Sequence, residues 1–219
     1  YHYAEVLKMN GNYKKAAEMF DRYGELSQRY DEARTQAEAC EKADAIKGDG
    51  KGWKVDATDL NSPESDFGPA FRGNELVFAS ARKRGFFTRI LNLRNNNLFY
   101  DLYKAPILGP VNFDKAKLQK GSLKTKFHDG PVAFTRDLNT ALVTRSNQKA
   151  GKLKRDAEKR AHLQLYSASL SKKKYKNAVL LPFNGDVYST GHPALSADGQ
   201  TLVFASDIKG GKGGSDLYI

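Results

Sequence analysis

The chain has 219 residues, enough for one or two domains, and its 40% hydrophobic and 28% charged residues are within the ordinary globular range. Its apolar stretches are only a few residues long, far below the roughly 20 needed to cross a bilayer, which excludes a transmembrane helix. The single cysteine, Cys40, excludes an internal disulfide. Its spacing from Ala33 and Ala37 predicts a small core residue.

The net charge of +11 is unevenly distributed. Residues 1–60 carry ten Lys/Arg against twelve Asp/Glu, whereas residues 61–219 carry twenty-six against thirteen. A basic region attracts nucleic acid, anionic lipid or an acidic protein face. No aromatic residues alternate with the basic clusters, so nucleic-acid binding is not predicted. Solvated loops and a docking face both remain open, and the candidate partner-binding residues are Lys149, Lys152, Lys154 and Arg155.

Residues 1–47 are predicted to be helical, with a break at Gly11-Asn12 and a third helix over Asp31–Ile46. Ala16 and Phe20 are four residues apart and share a helix face. The spacing of Gly11, Tyr13, Ala16 and Phe20 resembles the second half of a tetratricopeptide repeat. A plain helical hairpin is the alternative. A glycine-rich stretch then begins a linker over residues 48–60.

The remainder, residues 61–219, is predicted to be β-structure. Segments such as Glu75–Ser80 and Thr201–Ser206 are short, β-prone and bounded by Gly, Asn or Asp. In the clearest copy, Asp198-Gly199 predicts the turn of a hairpin.

An internal repeat organises these strands. Pro69, Pro131 and Pro193 are each 62 residues apart, and each begins a strand at a position where its missing N–H is tolerated. Every copy then continues through a hydrophobic strand and a closing strand. The aromatic positions of these strands are Phe78, Tyr103, Tyr166, Phe204 and Tyr218.

About four strands per period favour a propeller blade over a solenoid or sandwich. The predicted fold class is therefore α+β multidomain, an α-helical tetratricopeptide-like repeat followed by an all-β propeller. The expected blades span residues 61–110, 111–180 and 181–219. Because three blades do not close a ring, the natural chain is expected to continue.

The third copy, His192–Asp207, resembles the WD-like propeller repeat of the TolB type. Gly210–Tyr218 is similar to a glycine-rich hairpin of the large OmpA-family envelope proteins of the Bacteroidota, with PorE-like proteins of the type IX secretion and gliding machinery nearest. The resemblance implies a periplasmic scaffold at the inner face of the outer membrane. It also implies PorP/SprF-like outer-membrane β-barrel partners and a peptidoglycan-binding OmpA-like domain, for which no residues are present here.

No catalytic, cofactor or metal site is predicted. The chain has no Gly-x-Ser-x-Gly elbow, its four histidines are scattered, and no His or Cys pair has metal-ligand spacing. The glycines of 210–214 lack the ending of a phosphate loop. A non-catalytic scaffold is the main expectation. A glycan- or peptidoglycan-fragment-binding sensor, or an enzyme domain without its catalytic half, are the alternatives.

Overall fold

The computed structural model describes residues 1–43, 45, 52, 54–83, 91, 92 and 97–219. The chain divides into a helical unit, Tyr1–Asp56, and a sheet unit, Ala57–Ile219. Several residues of the predicted third helix and linker, namely Asp44, Ile46, 48–51 and 53, lie outside the described residues. None of the described helices is both long enough and apolar enough to cross a lipid bilayer.

Small residues pack the helical unit. Its helices are α1 (His2–Met9), α2 (Tyr13–Ser27) and α3 (Tyr30–Glu41). At Gly24 the helices approach so closely that a Cβ atom would lie 2.7 Å from the Cβ of Ala33. Phe20 is fully buried, with Tyr1 against its ring at 5.5 Å. Cys40 is buried in the same cluster, which confirms its prediction as a core residue.

The sheet unit contains fifteen strands among its described residues, all of them paired antiparallel. The first sheet is formed by β1 (Asp66–Arg72), β2 (Glu75–Ser80), β5 (Asp101–Pro106) and β6 (Lys117–Leu118); the second by β7 (Asp129–Phe134), β8 (Thr140–Ser146), β11 (Leu163–Ser171) and β12 (Lys174–Leu180); and the third by β13 (Thr190–Leu195), β14 (Leu202–Ser206) and β15 (Asp216–Tyr218). Two small hairpins are β3 (Leu91–Asn92) with β4 (Asn97–Leu98), and β9 (Gln148–Lys149) with β10 (Lys152–Leu153). The predicted strand over Glu75–Ser80 is confirmed.

Each of the three larger sheets begins with a bulged strand. The register of the first two strands shifts at the dipeptides Gly68-Pro69, Gly130-Pro131 and His192-Pro193, so that two residues oppose one. The residue before each proline has a positive φ, including 55° at His192. The prolines therefore occupy bulge positions, where a missing N–H removes no ladder hydrogen bond.

Consecutive sheets meet through the first strand of the later one. A Cβ atom at Gly130 would lie 2.9 Å from the Cβ of Ala79, and one at Gly191 would lie 2.9 Å from Cγ2 of Thr144. The interface between the first two sheets buries an apolar cluster that includes Val77 and Val143. Glycine is required here because any larger side chain would push the sheets apart.

The predicted fold class, a tetratricopeptide-like repeat followed by a propeller, is wrong. The described residues are mostly antiparallel β-sheet with only three short helices. Ala16 and Phe20 instead pack in one buried cluster with Ala4 and Ala37 from the other two helices. The 62-residue spacing is explained by a repeated bulged sheet, and a repeated sheet does not by itself specify a ring.

The repeated aromatic residues take matching places in the first and third sheets, where Tyr103 lies opposite Phe78 and Tyr218 lies opposite Phe204. In the second sheet the matching place is held by Leu165, opposite Thr144, and Tyr166 is one residue farther along, opposite Val143. The predicted Asp198-Gly199 turn joins β13 to β14, with Gly199 at φ 72°. Asp137-Leu138 forms the same type of turn in the second sheet, with Leu138 at φ 59° in the place of glycine.

Replacing Gly191 with alanine is expected to destabilise the sheet unit by about 1–3 kcal/mol, because the new methyl group would overpack the contact with Thr144. Gly214→Ala is the matched control, since no atom lies within 4 Å of the position of its Cβ. Urea unfolding of the three proteins measures both effects. Equal stability of the two variants would show that the sheets are not packed this closely.

Candidate functional site

The candidate partner-binding residues lie in the connection between β8 and β11. This connection, residues 147–162, is called the basic loop below, and it contains the β9–β10 hairpin. Lys149 and Lys152 are directly paired across that hairpin and both are exposed. The turn between them, Ala150-Gly151, has φ values of 50° and 72°, as a tight two-residue hairpin requires. The tip of the loop therefore presents two adjacent ammonium groups.

Asp186 ties the base of the basic loop to the segment before β13. Its Oδ1 accepts a 3.0 Å hydrogen bond from Nδ2 of Asn147, and its Oδ2 forms an ion pair with Lys154. These bonds lower the pKa of Asp186, with the hydrogen bond from Lys154 as the largest cause. Lys154 is therefore engaged within the chain.

Asp156 organises the second half of the loop. Its Oδ1 accepts hydrogen bonds from the backbone N–H groups of Glu158 and Arg160, at 2.9 and 2.8 Å. Its Oδ2 lies 2.9 Å from Nε2 of His162 and accepts a 3.0 Å bond from Nε of Arg160. The bond to His162, followed by those from Arg160, holds the pKa of Asp156 far below its usual value. The Asp156 carboxylate thus holds residues 156–162 together through its hydrogen bonds.

His162 continues this network into the body of the sheet unit. The ring is 6% exposed, and its Nδ1 lies 3.3 Å from Oγ of Ser189. The order Asp156, His162, Ser189 resembles the carboxylate, imidazole and hydroxyl of a nucleophilic site. However, the Ser189 oxygen also accepts a 3.2 Å hydrogen bond from the backbone N–H of Leu163, and the imidazole is buried. The geometry fits an anchor that holds the basic loop in place.

The four predicted partner-binding residues therefore divide into two groups. Lys149 and Lys152 are together at the exposed tip, and among the described residues neither has an ion-pair partner. Lys154 is paired with Asp186, and Arg155 donates a 2.8 Å hydrogen bond from Nη1 to the carbonyl oxygen of Lys159. The tip is the part of the loop that is available to a partner.

The anchoring residues were not predicted from the sequence. The four-residue separation of Asp156 and Arg160 is a usable local signal, because a short aspartate can accept hydrogen bonds from nearby backbone N–H groups. Asp186 and Ser189 are 32 and 27 residues from Lys154 and His162, their partners. No local sequence pattern could have indicated those contacts.

A second group of charged residues is buried between the first two sheets. Asp129 and Arg145 are 0% and 5% exposed, with Oδ1 and Nε 3.4 Å apart. Burial raises the pKa of Asp129 to about 6, although the backbone hydrogen bond from Thr125 and the charge of Arg145 oppose it. The Arg145 guanidinium lies over the Tyr166 ring at 5.1 Å. Their burial places these side chains in the structural core, out of reach of a large partner.

Among the described residues, no three His, Cys, Asp or Glu side chains converge on a point that could hold a metal ion. No known protein family matches the chain, and no curated protein matches it well enough to count as a relative.

Asp156→Ala is expected to free the basic loop while the sheets remain folded. Removal of the carboxylate deletes the bonds from His162 and Arg160, so local opening should increase about tenfold. Limited trypsin digestion, with cleavage after Lys152, Lys154 and Arg155 followed by mass spectrometry, measures this change. Glu158→Ala is the control, because it keeps the backbone N–H that Asp156 accepts and, among the contacts described, removes only an exposed ion pair with Arg160. Equal cleavage of both variants would contradict the anchoring role of Asp156.

Asp129→Asn is expected to change the pH dependence of stability. The folded pKa, about 6, is above the ordinary value of 3.8, so the folded chain binds this proton more tightly than the unfolded chain does. Its contribution is therefore complete below about pH 4 and lost as the pH rises through 6. Urea unfolding between pH 4 and 7 should show the natural chain losing about 2–3 kcal/mol relative to the variant. Parallel curves would contradict the raised pKa.

Proposed function

We propose that this chain is a non-catalytic scaffold of the bacterial periplasm that binds an outer-membrane protein through the tip of its basic loop. The observation that carries the proposal is the pairing of Lys149 directly opposite Lys152 at an exposed tip. Two like charges opposite each other on a hairpin destabilise it. A carboxylate-bearing partner would relieve that repulsion, so the tip is suited to an acidic protein surface.

The base of the loop supports the same proposal. A binding element that is already ordered loses less conformational entropy when its partner arrives. The contacts of Asp186 with Asn147 and Lys154, and of Asp156 with His162, order the base. The tip therefore presents two lysines that have no ion-pair partner among the described residues, on a base that is already ordered.

The choice of partner rests on the resemblance of Gly210–Tyr218 to a glycine-rich hairpin of the OmpA-family envelope proteins. That resemblance favours an outer-membrane β-barrel of the PorP/SprF-like kind, and it favours a place in type IX secretion and gliding. Attachment to peptidoglycan would belong to an OmpA-like domain, not to the residues of this chain.

The double variant Lys149→Glu with Lys152→Glu tests the proposal. The tagged chain should recover an outer-membrane β-barrel protein from detergent-solubilised envelope, and the variant should recover at least about tenfold less, because the attraction becomes repulsion. Mass spectrometry identifies and quantifies the recovered barrel. Recovery should also fall between 50 and 300 mM salt.

Lys209→Glu with Lys212→Glu is the matched control, since it makes the same charge change on two exposed lysines in the connection between β14 and β15. This control should recover the barrel as the natural chain does. Failure of the natural chain to recover any outer-membrane protein would refute the scaffold proposal. Equal losses in both double variants would instead show that overall charge, and not the tip, is responsible.

A further inference from the structure

A second basic hairpin lies at the other end of the second sheet. Ser171 pairs with Lys174 at the end of the β11–β12 ladder, so Lys172 and Lys173 form a two-residue turn. Both have positive φ, 47° and 62°, and both are exposed. β11 is nine residues long, which separates this turn from the basic loop by roughly 26 Å.

Among the two-residue hairpins that the structure describes, this is the one without a glycine in its turn. Two-residue hairpins with positive φ at both positions favour Asn-Gly, because glycine has no Cβ to clash in this conformation. The hairpins at Gly73-Asn74 and Ala150-Gly151 each include a glycine. Lys172-Lys173 includes none, so two side chains are held in a conformation that disfavours them.

Protection of a sheet edge explains only part of this arrangement. Lysines on an exposed edge strand discourage pairing with other chains, and β12 is the outer strand of the second sheet. That role accounts for Lys174 and Lys176, which lie on the strand. It does not account for Lys172 and Lys173, which lie in the turn and could be Asn-Gly without exposing any strand edge. An Asn-Gly turn would be less strained but uncharged, so positive charge is what Lys172 and Lys173 provide.

The surroundings of the turn are also basic. A Cβ atom at Gly121 would lie 4.0 Å from the Cβ of Lys174, which brings the exposed Lys120 beside the same end of the sheet. The neighbouring β7–β8 turn contributes one positive charge, from Arg136, and one negative charge, from Asp137. Asp137 is also engaged, because it accepts hydrogen bonds from Thr135 and Asn139. Among the described residues, none of the lysines at 120, 172, 173, 174 and 176 has an ion-pair partner.

We infer that the Lys172-Lys173 turn docks on an anionic lipid surface. Ammonium groups are compact point charges that tolerate any approach direction, whereas arginine is preferred where a fixed carboxylate or phosphate is gripped in two places. An exposed turn with two adjacent lysines matches a fluid layer of headgroups, to which each basic residue adds attraction. Leu170, beside the turn, is 39% exposed and could enter the headgroup region. The inference is independent of the protein partner proposed for Lys149 and Lys152.

Vesicle co-sedimentation tests the inference directly. The natural chain should bind vesicles of phosphatidylglycerol and phosphatidylcholine (1:1) at 50 mM salt, and bind poorly at 300 mM salt or to phosphatidylcholine alone. Lys172→Asn with Lys173→Gly should bind about 30-fold more weakly, from roughly fivefold per removed charge. The same variant should unfold at a temperature higher by ~3 °C, because Asn-Gly relieves the turn.

The control is Lys209→Gln with Lys212→Gln, which also removes two positive charges but at the β14–β15 connection. It should bind anionic vesicles within about twofold of the natural chain if the turn is the contact. Absence of binding by the natural chain at low salt would overturn the inference. Equal binding to phosphatidylcholine, or equal weakening by both double variants, would overturn it as well. Loss of vesicle binding with retained recovery of an outer-membrane barrel would separate this surface from the tip of the basic loop.

Discussion

The sheet unit depends on how closely the first strand of one sheet can approach the sheet before it. At Gly130 and Gly191 there is no room for a side chain, since neighbouring carbon atoms lie within 2.9 Å of the Cβ position. This approach closes the apolar interface around Val77 and Val143. It also fixes the second sheet between its neighbours. The basic loop leads into the first residue of β11, and the Lys172-Lys173 turn follows its last residue.

The same approach explains the buried ion pair. Asp129 immediately precedes Gly130, so a strand pressed against the first sheet takes its carboxylate into the interface. Arg145, the residue paired with Asp129 across β7 and β8, supplies the opposite charge. In the first sheet, Asp66 lies two residues before the bulge glycine Gly68, is less buried and pairs with Arg82 at 2.8 Å. Although burial raises the pKa of Asp66, hydrogen bonds from Arg82, Ser80 and Ser62 outweigh it and lower the pKa to about 2. The balance between burial and hydrogen bonding therefore shifts the pKa values of these two aspartates in opposite directions.

Local features of this fold could be predicted from the sequence, and their assembly could not. The strand at Glu75–Ser80, the turn at Asp198-Gly199 and the burial of Cys40 follow from alternation, turn chemistry and helical spacing. The fold class was wrong because a period reports what is repeated and not how the copies are arranged. Leu138 shows a further limit, since it adopts the positive φ that the third copy assigns to Gly199. The sequence around Leu138 does not indicate a positive φ at this position.

In the candidate site, too, local features could be predicted from the sequence and tertiary contacts could not. Basic composition identified the loop, but only tertiary contacts show that Lys154 is held by Asp186 while Lys149 and Lys152 are not. Formal charge in a sequence is therefore a poor guide to charge that a partner can use. Both surfaces proposed for this chain place positive charge at unfavourable positions, at lysines paired across one hairpin and at lysines with positive φ in the other. Repulsion between neighbouring lysines is relieved when an anion faces them, which is the physical link between the two surfaces proposed for this chain.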